Sequence, residues 1–539
     1  MELTLMMQMV MGKADWQLRQ KIGRLIVVRA SGFLFDHQIR YPVWEPLNAQ
    51  LRDWLETLNL GGVILLGGSA AELAQRTQQL QSWSSNPLLI AADIEEGVGQ
   101  RFAGATWFPP PYILGAIAAQ NLDLARDYAR RMGEVTAQEA LALGINWVLA
   151  PIADVNNNPD NPVINIRAFG NRPEIVSALV TAFIEGAKQY SVLTTAKHFP
   201  GHGDTATDSH LHLPVLSHSP KRLASIELPP FQAAIAAGVD TVMTAHLQIP
   251  AWDTENPATL SAAILTGQLR EKLGFEGLIV TDALIMGGVT QIASPSEVAV
   301  RALEAGADIL LMPPDPVETI EAVLAAVRSG RLTEARIEQS VHRIQQAKNH
   351  LAIASVTPQP LQVAQPAARQ TVQEIIKSGL QRGGILPLTL ETAIAKRNLI
   401  IVDDLLNCDF LDRACPSVTI PKAYGYQRQL LDQSSLGQVS LAALPTLLQV
   451  FVRGNPFRGT AGLTPEAEHF YQTLLQADWL QGLILYGSPY VLDWFRSQLS
   501  SDFPWVFSYG QMPQSQAIAC QQLLGSSEQT TELEGKDFV

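Results

Sequence analysis

Cysteine is nearly missing from this chain. Its 539 residues hold three, Cys408, Cys415 and Cys520, all late in the sequence. A sparse, odd count argues against a disulfide framework and fits a reducing compartment. Long apolar runs are absent too: no stretch of about 20 such residues occurs, so no membrane span is expected. The start carries Met6, Met7, Met9 and Met11 but no apolar segment followed by a small-residue cleavage site, and the cytoplasm is the expected location. Charge is scarce at 17%, net charge is −13 and no basic run appears, which leaves no electrostatic footprint for nucleic acid or an anionic membrane surface. No internal repeat or low-complexity tract occurs.

Hydrophobic residues, at 47%, are plentiful enough for large cores, and the length calls for two or three domains. Up to about residue 350, short apolar runs alternate with helical patterns. The runs are Leu25–Val28, Gly62–Leu66, Leu88–Ala92, Ile145–Ala150, Val192–Ala196, Val239–Thr244, Gly277–Val280 and Asp308–Met312. Buried strands without polar alternation, joined by helices, imply a parallel sheet. Eight such units predict an α/β fold of the (β/α)8 barrel type, with its active site at the C-terminal ends of the strands. An open doubly wound sheet is the competitor, but no Gly-rich phosphate loop follows the first run. Val356–Ala367, uncharged and rich in Pro and Gln, reads as a linker. Expected boundaries are therefore a barrel over 1–352, a linker over 353–370 and a smaller α/β C-terminal domain over 371–539, with strands near Leu399–Asp403, Leu448–Arg453, Gly482–Tyr486 and Trp505–Tyr509.

Chemistry concentrates in residues 197–214, Lys-His-Phe-Pro-Gly-His-Gly-Asp-Thr-Ala-Thr-Asp-Ser-His-Leu-His-Leu-Pro. Five of the ten histidines fall between His198 and His218, with Asp204 and Asp208 among them. Packing alone gives a loop no reason to gather so many titratable groups. The other strand ends add Asp93, Asp154, His246 and Asp282, so polar groups converge on one rim. Asp154 taken alone could be a helix cap. Three reaction classes suit such a rim. A metallohydrolase would use His198, His202, His210 and His212, but these crowd one loop instead of several strand ends. A Schiff-base lyase would use Lys197. Glycoside hydrolysis needs a nucleophile and an acid/base, which Asp282 and a group in the 197–214 loop could supply.

The run Lys197–Pro214, with Asp208-Ser209-His210 inside it, resembles the signature of glycoside hydrolase family 3, in particular its β-N-acetylhexosaminidases of the NagZ type. Asn161-Pro-Val-Ile-Asn-Ile-Arg167-Ala-Phe-Gly170, Pro257-Ala-Thr-Leu-Ser261 and Leu273-Gly-Phe-Glu-Gly277 match in the same order, and the resemblance covers roughly residues 20–350. It implies a retaining exo-glycosidase that removes terminal β-linked N-acetylglucosamine, in the recycling of cell-wall muropeptides, without cofactor or metal. Asp282 would be the nucleophile and His210, oriented by Asp208, the acid/base. Asp93, Arg101, Arg167, Lys197 and His198 would bind the sugar hydroxyls. Where the family has Asp-x-Glu-Gly-Gly-Arg-Val-Gln-Arg-Phe, this chain has Asp93-Ile-Glu-Glu-Gly-Val-Gly-Gln-Arg-Phe102, and Ala283 follows Asp282 where a second Asp is usual. A family 3 β-glucosidase is the runner-up, which the Asp208-Ser209-His210 dyad argues against. An inactive carbohydrate-binding protein is the alternative of another class, and it would be free to lose Asp282, Asp208 and His210.

Overall fold

A computed structural model of the chain describes residues 13–209, 211–351, 357–389, 395–439, 441–454 and 461–525. Eight strands follow one another at the expected places: β1 (Ile26–Ser31), β2 (Gly62–Leu66), β3 (Leu89–Ala92), β4 (Trp147–Val148), β5 (Thr195–Phe199), β6 (Thr241–Thr244), β7 (Leu278–Val280) and β8 (Leu310–Leu311). They form two parallel arcs, β4-β3-β2-β1-β8 and β5-β6-β7. Single parallel bridges, Trp147 to Leu193 and Val280 to Ile309, join the arcs on both sides and close the barrel. Helices separate the strands and cover the outside. Leu122–Ala142 starts from an Asn121 cap that accepts the Leu124 N–H, and Pro173–Ala187 starts on proline, whose missing N–H costs nothing there. Inside the barrel, the Trp147 indole donates to the Thr195 and Thr241 hydroxyls at 2.9 and 3.2 Å, so this buried polar atom is paired.

One strand is displaced from its apolar run. The expected fifth strand ended at Ala196, before the first charge. Pairing with β6 instead continues to Phe199, so Lys197 and His198 lie inside a wholly buried strand. An apolar run stops at a lysine. The backbone ladder does not, provided that carboxylates neutralise the charge.

Beyond the barrel lies a second sheet in the order β11-β10-β12-β13-β14-β9. Its strands are β9 (Gln381–Gly383), β10 (Lys396–Val402), β11 (Tyr426–Asp432), β12 (Thr446–Val452), β13 (Leu480–Gly487) and β14 (Trp505–Ser508). All neighbours are parallel except β9, which runs antiparallel to β14. Both edge strands, β9 and β11, were absent from the sequence reading. β11 buries only Tyr426, and an edge strand with that exposure needs no apolar run. Helix Pro366–Gly379 begins within the stretch expected to be a linker. It packs on the barrel helix Leu122–Ala142 through an Arg131–Glu374 ion pair of 2.8 Å and a Tyr128–Ser378 hydroxyl contact of 3.2 Å. Among the described residues no helix is long and apolar enough to cross a membrane.

Candidate active site

At the C-terminal ends of β3, β4 and β5 a buried charge network forms around Glu95, which is 3% exposed. The Arg167 guanidinium grips both its oxygens, with Nε to Oε2 at 2.9 Å and Nη2 to Oε1 at 2.7 Å. Lys197 Nζ lies 2.6 Å from Glu95 Oε1 and 2.7 Å from Asp93 Oδ1. Burial alone would push the Glu95 carboxyl up, but Arg167 and Lys197 outweigh it and hold the group well below the usual carboxylate range. Asp93 follows the same balance: burial raises it, Lys197 pulls it down, and the net direction is down. For Lys197, burial lowers and the two carboxylates raise, leaving the ammonium above its ordinary value. A lysine held charged between two carboxylates is the opposite of a Schiff-base nucleophile, which must be neutral.

Asp154, fully buried after β4, caps no helix. Its carboxylate accepts the His198 and His202 backbone N–H groups, the latter at 2.6 Å, and meets His198 Nδ1 at 2.8 Å. His202 spends both ring nitrogens inside the loop, Nδ1 on the Thr205 hydroxyl at 2.9 Å and Nε2 on the Ser209 hydroxyl at 2.8 Å. Burial pushes its pKa down to about 4, so it is neutral near pH 7. Asn161 ties the loops after β4 and β5 together. Its amide donates to the His202 and Gly203 carbonyls, and its oxygen accepts from Val163 and Ile164. Gly203 must be glycine for this approach, since a Cβ there would lie 1.9 Å from the Val155 carbonyl.

The far end of the β5 loop crosses to β7. Asp208 is 3% exposed, and its carbonyl accepts the Leu211 and His212 N–H groups in a tight turn. The Ser209 carbonyl accepts from Gly288 N–H at 3.1 Å, and Gln291 Nε2 donates to the Leu211 carbonyl at 2.9 Å. Asp282 lies two residues beyond β7, half-buried, with Oδ1 accepting the Ala283 N–H at 2.7 Å. It is near enough to His202 for their charges to interact. His246, after β6, meets the Ala283 carbonyl through Nε2 at 3.1 Å and the Thr259 hydroxyl through Nδ1 at 2.8 Å, holding the segment that carries Asp282. His210 lies outside the described residues.

Two departures in the Asp93–Phe102 loop have physical partners. Val98 is fully buried in the apolar core. Glu96, 1% exposed, accepts from the Trp107 indole at 2.9 Å and from Arg453 at 2.8 Å. Arg453 follows β12, so the second sheet grips this barrel loop directly. The adjacent Gly454 comes so close to the loop after β4 that a Cβ would lie 3.0 Å from Asn165 Cβ. Arg101 is exposed, and its Nε donates to the Asp93 carbonyl at 3.1 Å.

The rim thus gathers Asp93, Arg101, Arg167, Lys197 and His198 on one side, and Asp282 and Asp208 on the other. Sequence reasoning missed Glu95 as the hub, although it stands in the quoted motif. A glutamate two residues after a strand-end aspartate, with a lysine and an arginine to satisfy elsewhere, was the available signal. Glu96 and Arg453 are 357 residues apart, and no local pattern pairs them. Among the described residues, the histidines considered as metal ligands form no donor cluster: His198 is held by Asp154 and His202 by two hydroxyls. Among the described residues one other set, Asp204, His218 and Glu227, has donors close enough for a metal. Arg222 already sits among them, donating to Glu227 at 2.6 Å and to Asp204 at 3.1 Å, which supplies the positive charge an ion would bring.

The family model for the glycosyl hydrolase family 3 N-terminal domain matches residues 17–347, and that for the bacterial glycosyl hydrolase family 3 C-terminal domain matches residues 389–525. The chain belongs to glycosyl hydrolase family 3 and is a glycoside hydrolase. Beta-hexosaminidase A of Pseudoalteromonas piscicida is 32% identical over 404 residues, 68% of this chain and 67% of that one. The β-N-acetylglucosaminidase/β-glucosidase of Cellulomonas fimi is 32% identical over 369 residues, 65% of this chain and 64% of that one, so the chain spans about two thirds of these relatives' length. The structure of a glycoside hydrolase family 3 β-N-acetylglucosaminidase from Paenibacillus sp. str. FPU-7 superposes with a TM-score of 0.76 at 28% identity, covering 94% of this chain and 96% of that one.

Proposed function

We propose that the chain is a retaining exo-glycosidase that releases terminal non-reducing β-linked N-acetylglucosamine. The observation that carries this is the meeting, on one barrel rim, of the interlocked Asp93, Glu95, Arg167 and Lys197 with a half-exposed carboxylate, Asp282. The names of the relatives support N-acetylglucosaminides as substrates. Asp93, Lys197, Arg167, Arg101 and His198 hold the ring hydroxyls. The Asp282 carboxylate attacks the anomeric carbon, and the glycosidic C–O bond breaks as the leaving oxygen takes a proton from His210, which Asp208 orients. Neutral His210 then removes a proton from water, whose oxygen displaces Asp282. An imidazole with an unperturbed pKa of about 6.5 suits both steps. Three free thiols, Cys408, Cys415 and Cys520, fit a cytoplasmic setting, where muropeptide fragments would be the natural source of such sugars.

The test is turnover of nitrophenyl N-acetyl-β-glucosaminide against nitrophenyl β-glucoside by the purified chain. A preference for the first, retained after exhaustive chelation, is expected. A preference for the glucoside would make it a β-glucosidase, and loss on chelation with recovery on adding zinc would make it a metallohydrolase.

A further inference from the structure

The loop from residue 32 to residue 47, between β1 and helix Asn48–Thr57, has no place in the scheme above. Yet among the described residues the three aromatic side chains that are more than a third exposed all lie in it: Phe35 (59%), Tyr41 (38%) and Trp44 (39%). Single exposed apolar residues need no explanation, but a cluster does. The rings are ordered against one another. Tyr41 and Trp44 stack at 5.8 Å between centroids and 21° between planes.

The loop is built into the rim. Asn48 fixes it from the following helix, its amide donating to the Leu34 carbonyl and its N–H to Asp36, both at 2.9 Å. The Tyr41 ring lies 5.5 Å from the Arg29 guanidinium of β1, which pairs with buried Glu45 at 3.4 Å. Arg29 in turn is near enough to Asp93 and Arg101 to feel their charges. At the strand end, Gly32 comes so close to Phe102, the neighbour of Arg101, that a Cβ would lie 3.1 Å from the ring. The aromatic pair is therefore linked through Arg29 to the groups assigned to the terminal sugar.

We propose that the Tyr41–Trp44 pair is a stacking platform for a second pyranose, the leaving-group sugar of a β-linked oligosaccharide. This rests on the exo-glycosidase reading. An enzyme that takes the terminal residue into a closed pocket has one direction left for the rest of the substrate, outward over the rim. A β-pyranose with equatorial substituents presents a flat array of axial C–H groups, weakly positive and apolar, which complements the negative face of an indole or phenol ring. Its equatorial hydroxyls point sideways into solvent, so a half-exposed platform suffices.

The experiment compares two substrates whose leaving groups are similar alkoxides but differ in size: methyl N-acetyl-β-glucosaminide, with one carbon to lose, and N,N′-diacetylchitobiose. For Trp44→Ala and Tyr41→Ala in the full chain, the ratio of kcat/KM for the disaccharide to kcat/KM for the methyl glycoside should fall about tenfold, the size of one aromatic stacking contact. The fall should reside in KM, and Trp44→Tyr should restore most of it. An unchanged ratio would overturn the platform. So would an unchanged ratio accompanied by loss of concentration-dependent self-association in Trp44→Ala, which would make the patch a contact between copies of the chain. A wild-type chain that cleaves neither substrate would overturn the N-acetylglucosaminidase reading itself, and the platform with it.

Discussion

The two sides of the barrel rim are built on opposite principles. On the β3–β5 side, Glu95, Asp93, Lys197 and Arg167 are interlocked at 2.6–2.9 Å, and Asp154 holds the His198 and His202 backbone beside them. Arg167 and Lys197 are paired with the Glu95 and Asp93 carboxylates before any sugar arrives. On the β5-loop and β7 side, Asp282 is half-exposed, and the loop that carries Asp208 is joined to the chain after β7 through the Ser209 and Leu211 carbonyls. The first side is preorganised to recognise. The second holds a half-exposed carboxylate, which the proposed reading makes the group that forms and loses a covalent bond.

Removing the open carboxylate should do the most damage. Asp282→Ala should lower kcat by on the order of 10³ or more, with thermal unfolding close to wild type, since its side chain is only half-buried. A large loss of melting temperature instead would place Asp282 in the scaffold and erase the contrast.

Glu95→Gln should reverse that signature. It leaves Arg167 and Lys197 buried with one carboxylate fewer, so stability should fall by about 3 kcal/mol and kcat/KM by about 10²-fold, mostly through KM. Calorimetry with parallel kinetics reads both. An effect on kcat alone would move Glu95 to the reacting side.

Asp208→Asn should act between these, about tenfold in kcat on substrates with basic leaving groups and much less on aryl glycosides, because it weakens the orientation of the acid without removing it. Equal losses on both substrate types would mark Asp208 as a binding residue.

The pH dependence of stability should separate the two sides by the smallest margin. His202 has a folded pKa near 4, below the 6.5 of the unfolded chain, so the native state resists its protonation. Its contribution is complete above pH 6.5 and is lost as pH falls from 6.5 towards 4. Glu95 and Asp93, whose pKa values are depressed, contribute above their unfolded values of about 4 and lose that only on further acidification. Thermal scans should therefore show a first decline between pH 6.5 and 4 that His202→Gln flattens and Glu95→Gln does not.

Much of this architecture was legible in the chain. Eight apolar runs mark eight strands because a barrel strand, buried on both faces, tolerates few polar residues. The site motif was legible for the opposite reason, that so many histidines and aspartates in one loop have no packing role. What escaped lies where partners are remote. Glu95 acquires its place from Arg167, in the loop after β4, and Lys197, on β5. Glu96 is answered by Arg453, from the second sheet. β11 is an edge strand with one buried residue and no run to betray it. Lys197 ended the predicted fifth strand because its neutralising carboxylates come from β3, not from its neighbours in sequence.

The central claim is that the open carboxylate of the rim forms the covalent intermediate. A mechanism-based fluorosugar of the N-acetylglucosamine series, incubated with the enzyme and followed by peptide mass mapping, tests it most directly. A single glycosyl adduct on Asp282 is the expected result. An adduct on Asp93, Glu95 or Asp208, or turnover with inverted anomeric configuration and no adduct, would contradict it.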